Sequence, residues 1–138
     1  MILNEMTSGA LQDVAALIGD GPVVMVNLLW LREAPLYPAG FAAGKTTARE
    51  AYFEGYAGEF RNIAQKLGIT TRLIYVGDRL AGLLAGPDDD WDLIVMVEYQ
   101  SLQDLRMIIE SDAYGVDAAP HRQAAIANWR FFATKQFA

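Results

Sequence analysis

The most constraining feature of this 138-residue sequence is a run of five apolar residues, from Leu93 to Val97, followed closely by a helix-start signal. Successive side chains of a strand point to opposite faces of its sheet, so a strand that is apolar at every position must be covered on both faces. Ser101 then stands where a helix N-cap belongs, and Asp104 follows three residues later. The stretch predicts a central strand of a covered sheet and a helix that follows it directly.

Helical spacing and capping residues predict two more helices nearer the N-terminus. Apolar residues recur at helical spacing from Leu11 to Ile18, with Ser8 as a candidate cap and Gly19 as a candidate stop. A capping box at residues 47–50 opens a second helix of about five turns, which Gly68 is expected to end in a Schellman motif. The buried stripe of this second helix is predicted to consist of Tyr52, Tyr56, Phe60, Ile63 and Leu67.

Three further segments are typical of strands. Val23 to Leu31 is almost wholly apolar, and Trp129 to Thr134 is predicted as the last strand. Arg72 to Leu84 predicts an edge-like strand with a bulge or sharp twist at Gly77 or Gly82.

The segment before the last strand contains a proline that restricts its structure. Proline lacks the backbone N–H that a helix interior uses, so Pro120 is expected to begin a new helical turn after a break in the pattern. The predicted short helix runs from His121 to Ala127.

After the N-terminal helix, the order of elements is strand, helix, strand, strand, helix, strand. This βαββαβ order predicts a ferredoxin-like α+β fold, in which a four-stranded antiparallel sheet carries its helices on one face. We expect one domain over residues 1–138, with an N-terminal helical extension at 1–22 and a core at 23–134. Because the central strands are apolar on both faces, we also predict a homodimer in which two sheets pack face to face.

Composition excludes several classes of function. The net charge is −6, and the 11 basic residues are spread singly, which argues against a nucleic-acid partner. The chain has no cysteine and one histidine, and no motif spaced for a metal, so we expect neither metal nor cofactor. No apolar run approaches the ~20 residues that span a bilayer, and no signal peptide is evident. We therefore expect a cytoplasmic protein without a membrane partner.

Several segments resemble the dimeric α/β-barrel superfamily, and they are most similar to a branch of unknown function. They lie between Val23 and Thr134 and read VNLLWL, AYFEGYAGEF, RLIYVG, GPDDDWDLIVMVEYQSLQDL, SDAY and HRQAAIANWRFFAT. The resemblance implies the ferredoxin-like fold and the homodimer. It implies no single reaction, because relatives with this fold include cofactor-free monooxygenases, isomerases, haem enzymes and proteins without an assigned activity.

His121 is the candidate catalytic residue, because it is the only side chain whose ordinary pKa lies near neutrality. At a helix start its imidazole would stay neutral, as a general base or haem ligand requires. The alternative is a histidine that is hydrogen-bonded to a backbone carbonyl or water. Arg122 is expected to be a surface charge, with an anion clamp as its alternative.

Five residues are candidates for lining a ligand pocket. Asn27 must bond to something inside a covered strand, either a ligand or a protein group at a bulge or dimer seam. Tyr52 and Tyr56 lie one helical turn apart and would aim two hydroxyls toward the sheet, although ordinary core packing has the same spacing. Trp30 carries the same ambiguity, as does Trp129.

These residues together predict a protein that binds a small organic molecule in a cleft between sheet and helices. As an enzyme it would be cofactor-independent and monooxygenase- or isomerase-like, with His121 as acid or base. The alternative is a non-catalytic binding or structural homodimer. A third hypothesis is haem binding through His121.

Overall fold

A four-stranded antiparallel sheet with helices on one face forms the architecture, as seen in a computed structural model that describes residues 1–7 and 9–138. The sheet order is β2-β3-β1-β4, the ferredoxin-like arrangement predicted from the order of elements. The strands are β1 (Val23–Leu31), β2 (Thr71–Asp78), β3 (Leu93–Tyr99) and β4 (Ile126–Thr134). The helices are α1 (Ala10–Ile18), α2 (residues 48–66), α3 (Leu102–Ile109) and α4 (residues 114–125).

The two central strands pair antiparallel, with Val23 opposite Tyr99 and Leu29 opposite Leu93. Their odd-numbered residues face the helices and are largely buried, because the helices supply apolar stripes to that face. The even-numbered residues form the opposite face, which the chain itself covers only in part. There Val26, Leu28, Ile94 and Met96 are half-buried, and Phe132 on β4 is 51% exposed.

Helix α2 begins and ends as its sequence predicts, but its middle is wider than a regular helix. The hydroxyl of Thr47 accepts a hydrogen bond from the Glu50 N–H, and the N–H groups of Gly68 and Ile69 complete a Schellman motif. Between an α-helical turn at Ala48–Glu50 and the α-helix Ala57–Lys66, residues Ala51–Tyr56 form a π-helix. The prediction of one regular helix is therefore wrong in this stretch, which packs against α4.

Helix α4 corrects the prediction of a break before Pro120. A π-helix, Tyr114–Ala118, continues directly into the α-helix Ala119–Ala125, and Pro120 lies in the first turn of that α-helix. The proline removes one hydrogen bond at the junction where the π-helix passes into the α-helix, so the irregular stretch lies beside the residue that cannot donate. The α-helix ends at Ala125 rather than at Ala127, and β4 begins earlier than predicted, at Ile126.

Strand β2 is an edge strand, as predicted, but it is shorter than expected. The pairing of β2 with β3 ends at Asp78, because Arg79 turns away from the strand. Its backbone N–H donates a hydrogen bond to the Asp92 carbonyl, and its Nε donates one to the Trp91 carbonyl. The predicted continuation to Leu84 is therefore wrong, and Leu80, Leu83 and Leu84 are exposed. The bulge lies between Leu73 and Tyr75 rather than at a glycine.

The N-terminal extension packs against the core. Helix α1 ends at Gly19, as predicted, whereas the predicted cap, Ser8, lies outside the described residues. The Leu3 N–H donates to the Asn128 side chain, and the Leu3 carbonyl accepts from the Trp129 N–H. Among the helices that the structure describes, none is long and apolar enough to cross a membrane.

Candidate functional site

The candidate site is a cavity of about 260 Å³ between α2 and the helix-facing side of the sheet. Alternation along the strands places Asn27, Val95, Tyr99 and Trp129 on its floor, and the stripe of α2 forms its roof. Its volume lies just below the range typical of pockets for drug-sized ligands. The residues that line it are Asn27, Tyr52, Phe53, Tyr56, Ala57, Phe60, Arg61, Thr71, Leu73, Val76, Val95, Val97, Tyr99, Leu105, Ile109, Trp129 and Phe131.

Aromatic rings form a continuous wall of the cavity. The ring centroids of Tyr52 and Tyr56 are 5.7 Å apart, those of Tyr56 and Phe60 are 5.8 Å apart, and those of Phe60 and Tyr99 are 6.3 Å apart. Such edge and offset contacts hold each ring in place. The wall therefore presents fixed aromatic surface to anything inside the cavity.

The hydroxyls of Tyr52 and Tyr99 are the unpaired polar groups of this wall. Both residues are largely buried, at 6% and 5% exposure, and neither hydroxyl makes a hydrogen bond within the part of the chain that the structure describes. Burial raises the pKa of both phenols well above the ordinary value, and the neighbouring Tyr114 adds to the effect. Both phenols therefore stay neutral at physiological pH and can donate a hydrogen bond to a bound molecule.

Asn27 is satisfied by protein groups. Its Oδ1 accepts a hydrogen bond from the indole Nε1 of Trp129 at 2.9 Å, and its Nδ2 donates to the Val95 carbonyl at 3.2 Å. The amide thus fixes the Trp129 ring in the cavity floor. One Nδ2 proton is left over, because an amide nitrogen has two.

Tyr56 lies between the cavity and a buried cation. Its hydroxyl is hydrogen-bonded to that of Tyr114 at 3.0 Å, and the Arg122 guanidinium donates to the Tyr114 hydroxyl at 3.4 Å. Arg122 is 4% exposed, so the expectation of a surface charge is wrong. The side chain is held from behind by Glu5, whose Oε1 accepts from Nη2 at 2.7 Å.

His121 lies outside this cavity, in a separate aromatic cluster. It is 3% exposed, and its Nδ1 is hydrogen-bonded to the Tyr37 hydroxyl at 2.6 Å. Phe41 packs edge-to-face on the imidazole, and Gly55 of α2 lies against it so closely that a Cβ there would overlap the ring. Burial lowers the His121 pKa, as does the charge of Lys45 nearby.

Trp30 lies on the opposite face of the sheet from the cavity. Its ring packs edge-to-face against Trp91 at a centroid distance of 6.1 Å. Of the predicted site residues, the structure therefore brings Asn27, Tyr52 and Tyr56 to the cavity. It places Arg122 behind the cavity wall, and His121 and Trp30 elsewhere.

The mouth of the cavity opens between α2 and the edge strand β2. Arg61 lines it from α2, while Leu73 and Val76 line it from β2 and are 59% and 43% exposed. These residues combine one positive charge with apolar surface. A ligand would enter past them.

Sequence reasoning missed two residues that form part of the site or support it. Tyr99 shares the helix-facing side of β3 with Leu93 and Val95, so strand alternation could have identified it. Tyr114 is part of a π-helix that no sequence pattern marks. In the described ranges 1–7 and 9–138, the acidic and histidine side chains form no group of three suited to a metal ion.

Comparison with known proteins identifies structural relatives only. No protein-family model matches the chain, and no curated protein matches it significantly. The chain is similar to the crystal structure of RPA0582, a protein of unknown function from Rhodopseudomonas palustris, with a TM-score of 0.83 and 27% identity over 100% of this chain and 99% of that one. A methylated form of RPA0582 matches with the same score and identity, covering 99% and 96% of the two chains.

A more distant match is a dimeric protein of unknown function with a ferredoxin-like fold from Bacteroides fragilis. It has a TM-score of 0.46 and 16% identity over 85% of this chain and 98% of that one. These neighbours all lack an assigned function, so they do not indicate which reaction or ligand the cavity serves.

Proposed function

We propose that this chain binds a small, flat, mostly apolar organic molecule in the cavity between α2 and the sheet. The observation that carries the proposal is the pair of hydroxyls of Tyr52 and Tyr99, two cavity-lining residues whose hydroxyls bond to no described protein group. A ligand oxygen or nitrogen that accepts from one of them would add a hydrogen bond, a gain of about 0.5–1.5 kcal/mol.

The shape of the cavity supports a planar ligand. Its aromatic walls are fixed by mutual contacts, and stacked or edge-on rings are the contacts that aromatic side chains make best. Asn27 and Trp129 form a rigid floor, because their hydrogen bond fixes both groups. A mostly apolar lining with a few fixed polar groups is typical of small-molecule sites.

A thermal-shift titration with one- and two-ring aromatic molecules tests this proposal. A ligand that binds only the native state raises the melting temperature with concentration. Tyr52→Phe removes one hydroxyl and should weaken binding of an oxygen-bearing ligand about threefold to tenfold, the value of a hydrogen bond. Tyr75→Phe is the matched control, because Tyr75 is 49% exposed and does not line the cavity. Absence of any stabilisation across the panel would contradict the proposal.

Catalysis on the bound molecule is a second candidate function, with a monooxygenase- or isomerase-like reaction that needs no cofactor. His121 is the proposed acid or base, and its lowered pKa favours the neutral imidazole that a base requires. Its burial outside the cavity means that α2 would have to move for it to reach a ligand. Turnover that survives His121→Ala would remove this role.

Experiments on the same purified protein also test two alternatives to ligand binding in the cavity. A purely structural homodimer predicts no stabilisation by any ligand. Haem binding through His121 predicts a Soret band on adding haem, although the ring is packed between Tyr37, Phe41 and Gly55 rather than facing the cavity. A colourless protein that ignores haem would dispose of that alternative.

We further propose that the protein acts as a homodimer, with the half-exposed apolar face of the sheet as the interface. Val26, Leu28, Ile94 and Met96 lie together on this face, and water contact with such a patch is unfavourable. A second copy related by a two-fold axis offers the same patch and would cover it.

The absence of cysteine supports a cytoplasmic location as part of the same proposal.

A further inference from the structure

A chain of hydrogen bonds links the N-terminal segment to the cavity through the protein interior. It runs from the Glu5 carboxylate to the Arg122 guanidinium, then to the hydroxyl of Tyr114 and to that of Tyr56. Tyr56 lines the cavity and Tyr114 does not, so Tyr56 is the end of the chain that a ligand can touch.

Arg122 supplies the chain with a poorly neutralised positive charge. Its single carboxylate partner, Glu5, has a side chain that is 53% exposed, whereas the Arg122 side chain is 4% exposed. Water therefore screens Glu5 far more than it screens the guanidinium. The Nε of Arg122 is buried and has no partner within the described ranges, 1–7 and 9–138. The guanidinium also lies over the ring of Trp129, 5.4 Å from its centroid, and Trp129 forms part of the cavity floor.

The charge of Arg122 fixes the direction of the first hydrogen bond between side chains of the interior. A guanidinium can only donate, so the Tyr114 oxygen accepts from Arg122. Either phenol can be the donor in the Tyr56–Tyr114 bond, and the inference below requires the direction in which Tyr114 donates. In that direction the Tyr56 proton is left for a ligand, and each bond in such a chain strengthens the next. Burial and the neighbouring Tyr114 raise the pKa of Tyr56, and the charge of Arg122 opposes this rise, so the field of the guanidinium reaches the Tyr56 hydroxyl.

We infer that Arg122, acting through Tyr114, positions the Tyr56 hydroxyl as a donor to an anionic ring oxygen, and that the cavity takes an aromatic phenolate. This inference rests on the proposed function, because it names the ligand class of the same cavity. Arg122 is here a positioning residue, since it does not line the cavity.

The test uses two probes of matched ring size, 4-nitrophenol and nitrobenzene, with the full chain. The phenolate form of 4-nitrophenol is yellow and the phenol form is colourless, so its absorbance reports the protonation state when bound. Burial raises the pKa of any phenol in this cavity, so Tyr56→Phe serves as the reference. We expect the pKa of bound 4-nitrophenol to be about one unit lower in the native chain than in Tyr56→Phe, a tenfold preference for the phenolate. Nitrobenzene should bind more weakly than the phenolate.

Four variants separate the hydrogen-bond chain from other causes. Tyr56→Phe should abolish the preference and Tyr114→Phe should reduce it, since each removes one hydroxyl and keeps the ring. Glu5→Gln should increase it, because it removes the carboxylate that opposes Arg122. Arg72→Gln is the control for a change of charge, because Arg72 lies on β2 but does not line the cavity, and the preference should survive this change.

The outcomes distinguish the two levels of the proposal. Equal binding of nitrobenzene and 4-nitrophenol with no colour shift would overturn the inference and leave the cavity as a binding site. A preference that survives Tyr56→Phe, or disappears in Arg72→Gln, would also overturn it. Binding of neither probe would overturn both the inference and the proposed function.

Discussion

Asn27 and Arg122 are both buried, but the hydrogen-bonding groups of their side chains are satisfied to different extents. Asn27 is placed between strands, where Trp129 and the Val95 carbonyl satisfy it, so its polarity serves to hold an indole in place. Arg122 is equally buried, yet one of its nitrogens has no partner in the described part of the chain. A buried cation with incomplete pairing is costly, which is why we assign it a role beyond stability.

His121 should give the protein a pH-dependent stability. Folding lowers the pKa of His121 below its ordinary value of about 6.5, which applies to the unfolded chain. As the pH falls through about 6.5, the unfolded chain therefore takes up a proton at His121 before the folded protein does. This uptake favours unfolding, so the free energy of unfolding decreases below that pH. The slope attributable to one histidine is at most about 1.4 kcal/mol per pH unit. Above pH 7 both states are neutral at this residue, and no contribution is expected.

Urea unfolding between pH 5 and 8 measures this effect. The control is His121→Gln, which keeps a polar side chain but does not titrate. Subtracting the variant's free energy of unfolding from that of the native chain at each pH cancels the contribution of carboxylates, which both proteins share. The groups that act on the ring are Tyr37 through its hydrogen bond, Lys45, and Glu59, which opposes the lowering. Parallel curves for the two proteins would contradict the assignment.

At the scale of elements, the contact between α2 and α4 determines where His121 sits. The π-helical part of α2 places Gly55 against the imidazole, and no larger residue fits there. Gly58 lies one turn later in the same helix, where an added Cβ meets nothing within 4 Å. The two glycines therefore form a matched pair.

We predict opposite effects of alanine at these two positions. Gly55→Ala should destabilise the protein by about 1–3 kcal/mol, because overpacking forces the histidine or α2 to shift. Gly58→Ala should be neutral or stabilise it by up to about 1 kcal/mol, since alanine is the better helix former. Chemical denaturation of both variants checks this, and equal effects would show that Gly55 is not tightly packed.

Most elements, and part of the site, could be predicted from the sequence. The strand β1, the cap at Ser101 and the end of α2 at Gly68 follow from local patterns, and the structure has them as predicted. The π-helices could not be predicted, because no local spacing in the sequence marks a π-helical turn; they lie where α2 and α4 pack against each other. For the same reason Tyr114 was missed, and Arg122 was expected at the surface.

At the scale of the whole molecule, the face of the sheet that carries no helices is only partly covered by the chain itself. Phe132 projects from this face and is 51% exposed, close to the centre of the apolar patch. Phe132→Lys should therefore convert a dimer of about twice 15.2 kDa into a monomer, because it buries an unpaired charge at the interface. Light scattering at micromolar concentration measures the mass.

A matched control for the dimer is Leu17→Lys. Leu17 lies on α1 and is 88% exposed, so the same kind of substitution changes the surface away from the proposed interface. This variant should remain a dimer. A native chain that is monomeric, or a Phe132→Lys variant that stays dimeric, would mean that the face is covered in another way.

The central claim is that a ligand enters the cavity and contacts its phenols, and the most direct measurement is NMR of the protein with labelled tyrosine rings during titration with an aromatic ligand. The chain has six tyrosines, and three of them line the cavity. The other three are Tyr114 behind Tyr56, Tyr37 beside His121, and Tyr75 on β2. We predict saturable shifts for Tyr52, Tyr56 and Tyr99, and no shift for Tyr75 on the opposite face of the sheet. Shifts confined to Tyr75, or unchanged cavity tyrosines in the presence of a bound ligand, would contradict the account.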